Sequence, residues 1–135
     1  IKPSNIILQP KRRLKITDFG IAKAIDVTSS LTRTEDVVGT LEYMPPEQIL
    51  RAKDVDHRVD IYAVGAVLYE LLTGQKPYAD PMHKLRQDPS PLQDVAPAVP
   101  RPLAKTVMSA LARNPHHRPH DAAAFAQALA NNQRP

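Results

Sequence analysis

The sequence predicts a mainly α fold with a small β ribbon at its beginning. Three observations carry this. Ile6-Ile7-Leu8 and Leu14-Lys15-Ile16 are short apolar runs on either side of Gln9-Pro10-Lys11-Arg12, the pattern of two strands joined by a turn. Asp60 to Leu72 is apolar nearly all round, as in a helix buried at the centre of a fold. Towards the end, Leu103, Val107, Ala110 and Leu111, and then Ala122, Phe125, Ala126 and Leu129, recur at helical spacing.

After the ribbon, residues 18–47 are rich in Thr, Ser, Asp and Gly with weak periodicity, so a long loop is expected there, and long loops in compact domains carry function. Pro45-Pro46-Glu47 opens a short helix over 46–51, because proline suits a first helical turn. The central helix should end at Thr73-Gly74, with glycine just past the last turn. Seven prolines between 77 and 102 predict loop, with room for one short helix near 80–87. A helix over 101–113 is broken by Asn114-Pro115, and Asp121 caps the last one, 121–131.

Composition excludes several classes. The 135 residues suit one domain rather than two. No cysteine is present, so there is neither a disulfide framework nor a thiolate-bound metal. No apolar run approaches the ~20 residues of a membrane span. Eighteen basic and fourteen acidic residues leave a net charge of +4 spread over both halves. Lys11-Arg12-Arg13 is the only basic run, and it reads as a solvated turn. Nucleic-acid binding would want a longer stripe with interleaved aromatics, so none is expected. His116, His117 and His120 lie among prolines without helical i, i+4 spacing and read as surface loop.

The chemistry-bearing residues form an ordered series: Lys2-Pro3-Ser4-Asn5, Asp18-Phe19-Gly20, Gly39-Thr40, Pro46-Glu47, Asp60 and Arg118. Each alone is weak; the order and spacing of all six are specific. The series resembles the C-terminal lobe of eukaryotic-type serine/threonine protein kinases, in wording close to bacterial members, over nearly the whole chain. The resemblance implies a partial kinase catalytic domain over 1–135: catalytic and metal-binding loops over 1–20, an activation segment over 18–47 and a helical subdomain over 48–135.

Phosphoryl transfer explains the residue types. Charge spreads over the phosphate oxygens in the transition state, and Mg²⁺ bridges the phosphates of ATP. Magnesium wants hard oxygen ligands; Asp18 offers a carboxylate and Asn5 an amide oxygen, from the ends of the two strands. Gly20 lets the backbone turn after the metal ligand. By resemblance, Lys2 contacts the transferred phosphate and the substrate hydroxyl, and lysine there is similar to the serine/threonine-specific branch. Thr40 resembles the threonine that touches the catalytic loop and shapes the substrate platform. Ile7 resembles the floor under adenine, with Val67 and Leu71 behind it.

Other positions look structural. Glu47 and Arg118 resemble the buried ion pair tying the end of the activation segment to the helical lobe. Asp60 resembles the aspartate that holds the catalytic-loop backbone. Thr28, Thr32 and Thr34 lie in the hydroxyl-rich stretch that, by analogy, is the phosphorylated activation loop. The prolines of 77–102 are expected to wrap the helices.

What is missing also matters. The four glycines never form a Gly-x-Gly pair, and no strand lysine or His-Arg-Asp triplet is present. The triplet would fall immediately before Ile1, so the chain is expected to be an incomplete catalytic domain, lacking the base and most of the nucleotide grip. The parent is expected to phosphorylate serine or threonine in proteins using ATP and Mg²⁺. This stretch alone should be inactive, its partners being a protein substrate and the absent N-lobe. A cytoplasmic location is expected, with an anchor elsewhere in the parent left open. The alternative is a non-catalytic kinase-like lobe that docks partner proteins; intact Asn5, Asp18 and Gly20 weigh against it. Without the other lobe, apolar surface around Ile6, Ile7, Leu8 and Phe19 should be exposed.

Overall fold

A computed structural model describes residues 1–17 and 35–132, with the backbone alone over 35–37. Asp18, Phe19, Gly20, Thr28, Thr32 and Thr34 therefore lie outside the described residues. The described chain is mostly helical, with one two-stranded antiparallel sheet. Strand β1 (Ile6–Gln9) pairs with β2 (Arg13–Ile16) in the register Ile6↔Ile16 to Gln9↔Arg13. The turn is Pro10–Arg12, where Lys11 and Arg12 both take positive φ, 63° and 57°. Such left-handed backbone costs a non-glycine residue roughly 1–2 kcal/mol, and it leaves the three basic side chains of 11–13 in solvent.

Helix α1 (Glu35–Leu41) corrects the expectation of continuous loop over 18–47. Its sequence, with Gly39 and Thr40 in the last turn, has little intrinsic preference for helix. Its C-terminal carbonyls are instead met by a lysine far along the chain, which no local pattern announces. Helix α2 (Pro46–Ile49) starts on proline at its first position, where no N–H is needed.

Helix α3 (Arg58–Thr73) is the centre of the fold. Ile61, Tyr62, Ala63, Gly65, Ala66, Val67 and Tyr69 are all buried. Gly74 ends it in the left-handed conformation, φ 71°, with its N–H on the Glu70 carbonyl. The helix is not buried all round, however: Leu71 is 75% exposed. Leu71 lies about three turns from Asp60 and so on the same stripe, and Asp60 is exposed too. Apolar composition alone overstated the burial of that face.

The proline-rich stretch holds a 3₁₀ turn, Pro81–Leu85, and a single-turn helix α4 (Leu92–Val95). Proline gives it few N–H groups, and distant side chains serve its carbonyls. Tyr69 Oη donates to Ser90 O at 3.0 Å and Tyr78 Oη to Gln87 O at 2.9 Å. Helix α5 (Arg101–Ala110) packs its Ala104–Val107–Ala110 face on α3. Helix α6 (Ala122–Asn131) is capped by the Asp121 carboxylate, which accepts from Ala124 N at 2.7 Å. Phe125 is buried and Leu129 half-buried, whereas Ala122 and Ala126 are exposed, so the buried face of α6 is narrower than the sequence spacing suggested. No helix of the described residues is long and apolar enough to cross a membrane.

Candidate functional site

The ribbon brings the first residues against Thr17, the residue that follows β2. Pro3–Asn5 form one 3₁₀ turn, closed by Asn5 N on Lys2 O at 2.9 Å. Across the ribbon, Thr17 N donates to Asn5 O at 2.8 Å and Thr17 Oγ1 to the same oxygen at 3.3 Å. The backbone of Asn5 is thus fixed to the residue that immediately precedes Asp18. Among the described residues no group bonds the Asn5 side-chain amide, which is half-buried. A hard, neutral oxygen held on a rigid ribbon end fits a magnesium ligand.

Lys2 Nζ donates to Thr40 Oγ1 at 3.4 Å, a contact spanning 38 residues. It carries the end of α1 to the mouth of the ribbon. Ile7 is 48% exposed and shares the open ribbon with exposed Leu8 and Leu14, while Ile6 turns inward against the core. Val67 is buried in the core; Leu71 points away from it, into solvent.

From Thr40 to Glu47 the chain is pinned at nearly every step. Glu42 pairs with Lys76 at 2.5 Å. Tyr43 Oη donates to Glu70 Oε2 at 2.5 Å; burial and that carboxylate together push the phenol well above its ordinary pKa. Lys84, fully buried, donates to Leu41 O at 2.7 Å and to Glu42 O and Met44 O at 2.9 Å each. The rings of Tyr62 and Tyr78 flank its ammonium, with centroids at 5.6 and 5.9 Å. None of Lys76, Glu70 or Lys84 stood out in the sequence, because their partners lie 27–43 residues away and are partly main-chain carbonyls.

Glu47 closes the segment. Arg118 reaches it with both terminal nitrogens, Nη1 to Oε1 at 2.6 Å and Nη2 to Oε2 at 2.9 Å. Arg118 also donates to Ala112 O, Arg58 O and Arg113 O and lies over the Tyr62 ring at 4.9 Å. Asp60, at the first turn of α3, has no hydrogen bond to residues 1–5 among the described residues. Near the same helix start His57 Nε2 lies 2.6 Å from His120 O, and Arg58 Nη1 lies 3.0 Å from His116 Nδ1, so two of the three loop histidines tie that loop to α3.

Burial brings the Lys84 ammonium down to about 8, against the pull of Glu42. The unfolded chain then holds the extra proton between about 8 and the ordinary lysine value near 10.5. Stability attributable to this group should therefore be flat below pH 8 and rise from there towards 10.5. The phenols of Tyr62 and Tyr78, which face it, are pushed to higher pH by burial, so the unfolded chain gives up their protons first from about pH 10 and opposes the rise there. Denaturant midpoints measured from pH 7 to 9 should climb in the wild type; a Lys84→Met curve of the same shape would refute the assignment.

Comparison with known proteins bears on the family. The chain matches the protein kinase domain over residues 1–132. It is 40% identical over 129 residues to the serine/threonine-protein kinase PknB of Mycobacterium leprae, covering 91% of this chain and 21% of that protein. It is 41% identical over 130 residues to PknB of Mycolicibacterium smegmatis, with the same 91% and 21% coverage. A probable serine/threonine-protein kinase of Corynebacterium efficiens is 38% identical over 140 residues, 96% of this chain and 21% of its own length. The chain thus spans about a fifth of the length of these relatives. The ordered motifs, the helical core and these matches together place the chain in the protein kinase domain family, in its bacterial serine/threonine branch.

Proposed function

We propose that the protein carrying this chain transfers the γ-phosphoryl group of ATP to serine or threonine hydroxyls of proteins. In this reading residues 1–135 are the C-terminal lobe of the catalytic domain: catalytic and metal-binding loops over 1–20, activation segment over 18–47, helical subdomain over 48–135. The observation that carries it is the Lys2–Thr40 contact, which sets a cation and a hydroxyl beside the ribbon end that bears Asn5. Asn5 and Asp18 would hold Mg²⁺, and Gly20 would let the chain turn behind it. There the ion would supply charge neutralisation at the phosphates.

Lys2 orients the incoming hydroxyl and offsets the charge on the phosphoryl oxygens; Thr40 holds Lys2 in place. The bond to the substrate oxygen forms as the bond to ADP breaks, and the hydroxyl proton is released to solvent. Ile7 would form the apolar floor under adenine, and its exposed position leaves it free to do so. Glu47 with Arg118 would anchor the end of the activation segment. Thr28, Thr32 and Thr34 are the candidates for regulatory phosphorylation. The 135 residues by themselves, with no Gly-x-Gly pair to cover the nucleotide, are assigned no activity. A cytoplasmic site of action goes with this reading, because ATP is the donor.

The test is phosphate transfer from labelled ATP to a serine or threonine peptide by the protein expressed from its complete reading frame. Asn5→Ala should lower kcat/KM at least ~100-fold, partly recovered by excess Mg²⁺. Full activity in that variant would refute the metal role, and a wild type without Mg²⁺-dependent transfer would refute the function.

A further inference from the structure

Of the groups for which the phosphoryl-transfer reading finds no use, the Lys84 ammonium is the most deeply buried and the most fully bonded. It has three N–H donors, and three carbonyls take them. No donor is left for a ligand, so Lys84 is not itself a binding group. Its partners are all main-chain atoms of one short stretch, Leu41, Glu42 and Met44, between Thr40 and Pro45. We propose that Lys84 is a positioning residue for the protein substrate: it holds the backbone of 41–44 in the one shape on which a peptide can dock beside Thr40. This rests on the kinase reading, in which that stretch is the substrate platform.

The geometry favours a shape-setting role over simple adhesion. The other anchors of the stretch, Glu42 to Lys76 and Tyr43 to Glu70, act through side chains and tolerate small backbone shifts. Lys84 grips the main chain at three carbonyls within four residues, so a displacement of about 1 Å breaks all three bonds beyond hydrogen-bonding range. Tyr62 and Tyr78 flank the ammonium from α3 and from the loop after it, which fixes the direction of approach. Two of the three carbonyls, those of Leu41 and Glu42, are at the C-terminal end of α1, where a cation also meets the negative end of the helix dipole. Arginine would keep the charge but offers a planar fork where the site is a tripod. Among the described residues Lys84 bonds nothing in the ribbon, so the nucleotide side should not sense its loss.

The experiment compares wild type, Lys84→Met and Lys84→Arg in the protein expressed from its complete reading frame. Steady-state kinetics would give KM separately for a serine/threonine peptide and for Mg·ATP, and amide exchange would follow residues 41–44 against α3 and α5. Lys84→Met should raise the peptide KM about tenfold, with the ATP KM within about twofold. Exchange at 41–44 should quicken with α3 and α5 unchanged. Lys84→Arg should fall between, and it decides the matter if the methionine variant does not fold. Equal rises in both KM values, unchanged exchange at 41–44, or wild-type values in the arginine variant would overturn the proposal. A wild type with no peptide kinase activity would instead overturn the kinase reading on which this one stands.

Discussion

Arg118→Ala should lower the melting temperature of this protein by roughly 10 °C or more, from a loss of about 3–5 kcal/mol. The Arg118 side chain is wholly buried and that of Glu47 is only 13% exposed. Removing the guanidinium therefore leaves a carboxylate that water can barely reach. It also strips donors from the carbonyls of Ala112, Arg58 and Arg113 and takes a cation off the Tyr62 ring. Glu47→Ala should cost somewhat less, because Arg118 keeps its three carbonyl partners. Arg118→Lys should recover little, since one ammonium cannot replace a two-pronged grip. The double alanine variant should lose clearly less than the sum of the two single losses, the signature of direct coupling. Thermal melts of the four variants check this; an Arg118→Ala melt within about 2 °C of wild type would sink it.

Gly65→Val should be comparably damaging, for a steric reason. A Cβ at 65 would stand 2.7 Å from the Ala110 Cβ and 3.5 Å from the Ala110 carbonyl carbon. Neither atom can swing aside, so α3 and α5 would have to separate, and overpacking of this kind costs about 1–3 kcal/mol. Alanine at 65 gains up to ~1 kcal/mol of helix propensity over glycine, which offsets part of the loss but not its sign. Valine adds two methyls at the same crossing and should cost more. Ala110→Gly should rescue Gly65→Ala, because it removes the atom in the way. Chemical denaturation of the single and double variants decides it; a stabilised Gly65→Ala would show that the helices part freely there.

Much of the architecture was legible because it depends on neighbours in sequence. A run apolar nearly all round marked α3, and apolar periodicity marked α5 and α6. Proline at 46, glycine at 74 and aspartate at 121 marked a start, a stop and a cap through local backbone chemistry. The paired apolar runs around Pro10 marked the ribbon. Motif order named Lys2, Asn5, Thr40, Glu47 and Arg118 as one set, although spacing alone says nothing of how near they come to one another.

The remainder was decided by contacts between residues far apart in the chain. Helix α1 forms where local propensity is poor, and its last carbonyls are held by Lys84, 43 residues on. Tyr43 finds Glu70 and Glu42 finds Lys76 only after α3 has brought their elements together. Leu71 reads as core by composition yet faces solvent, because burial depends on which side of a helix meets another element. The sequence by itself determined α2, α3, α5 and α6, the ribbon, their punctuation and the family. Tertiary structure alone decided the shape of the 40–47 segment, since hydrogen bonds to main-chain carbonyls leave no trace in the identity of the residues that accept them.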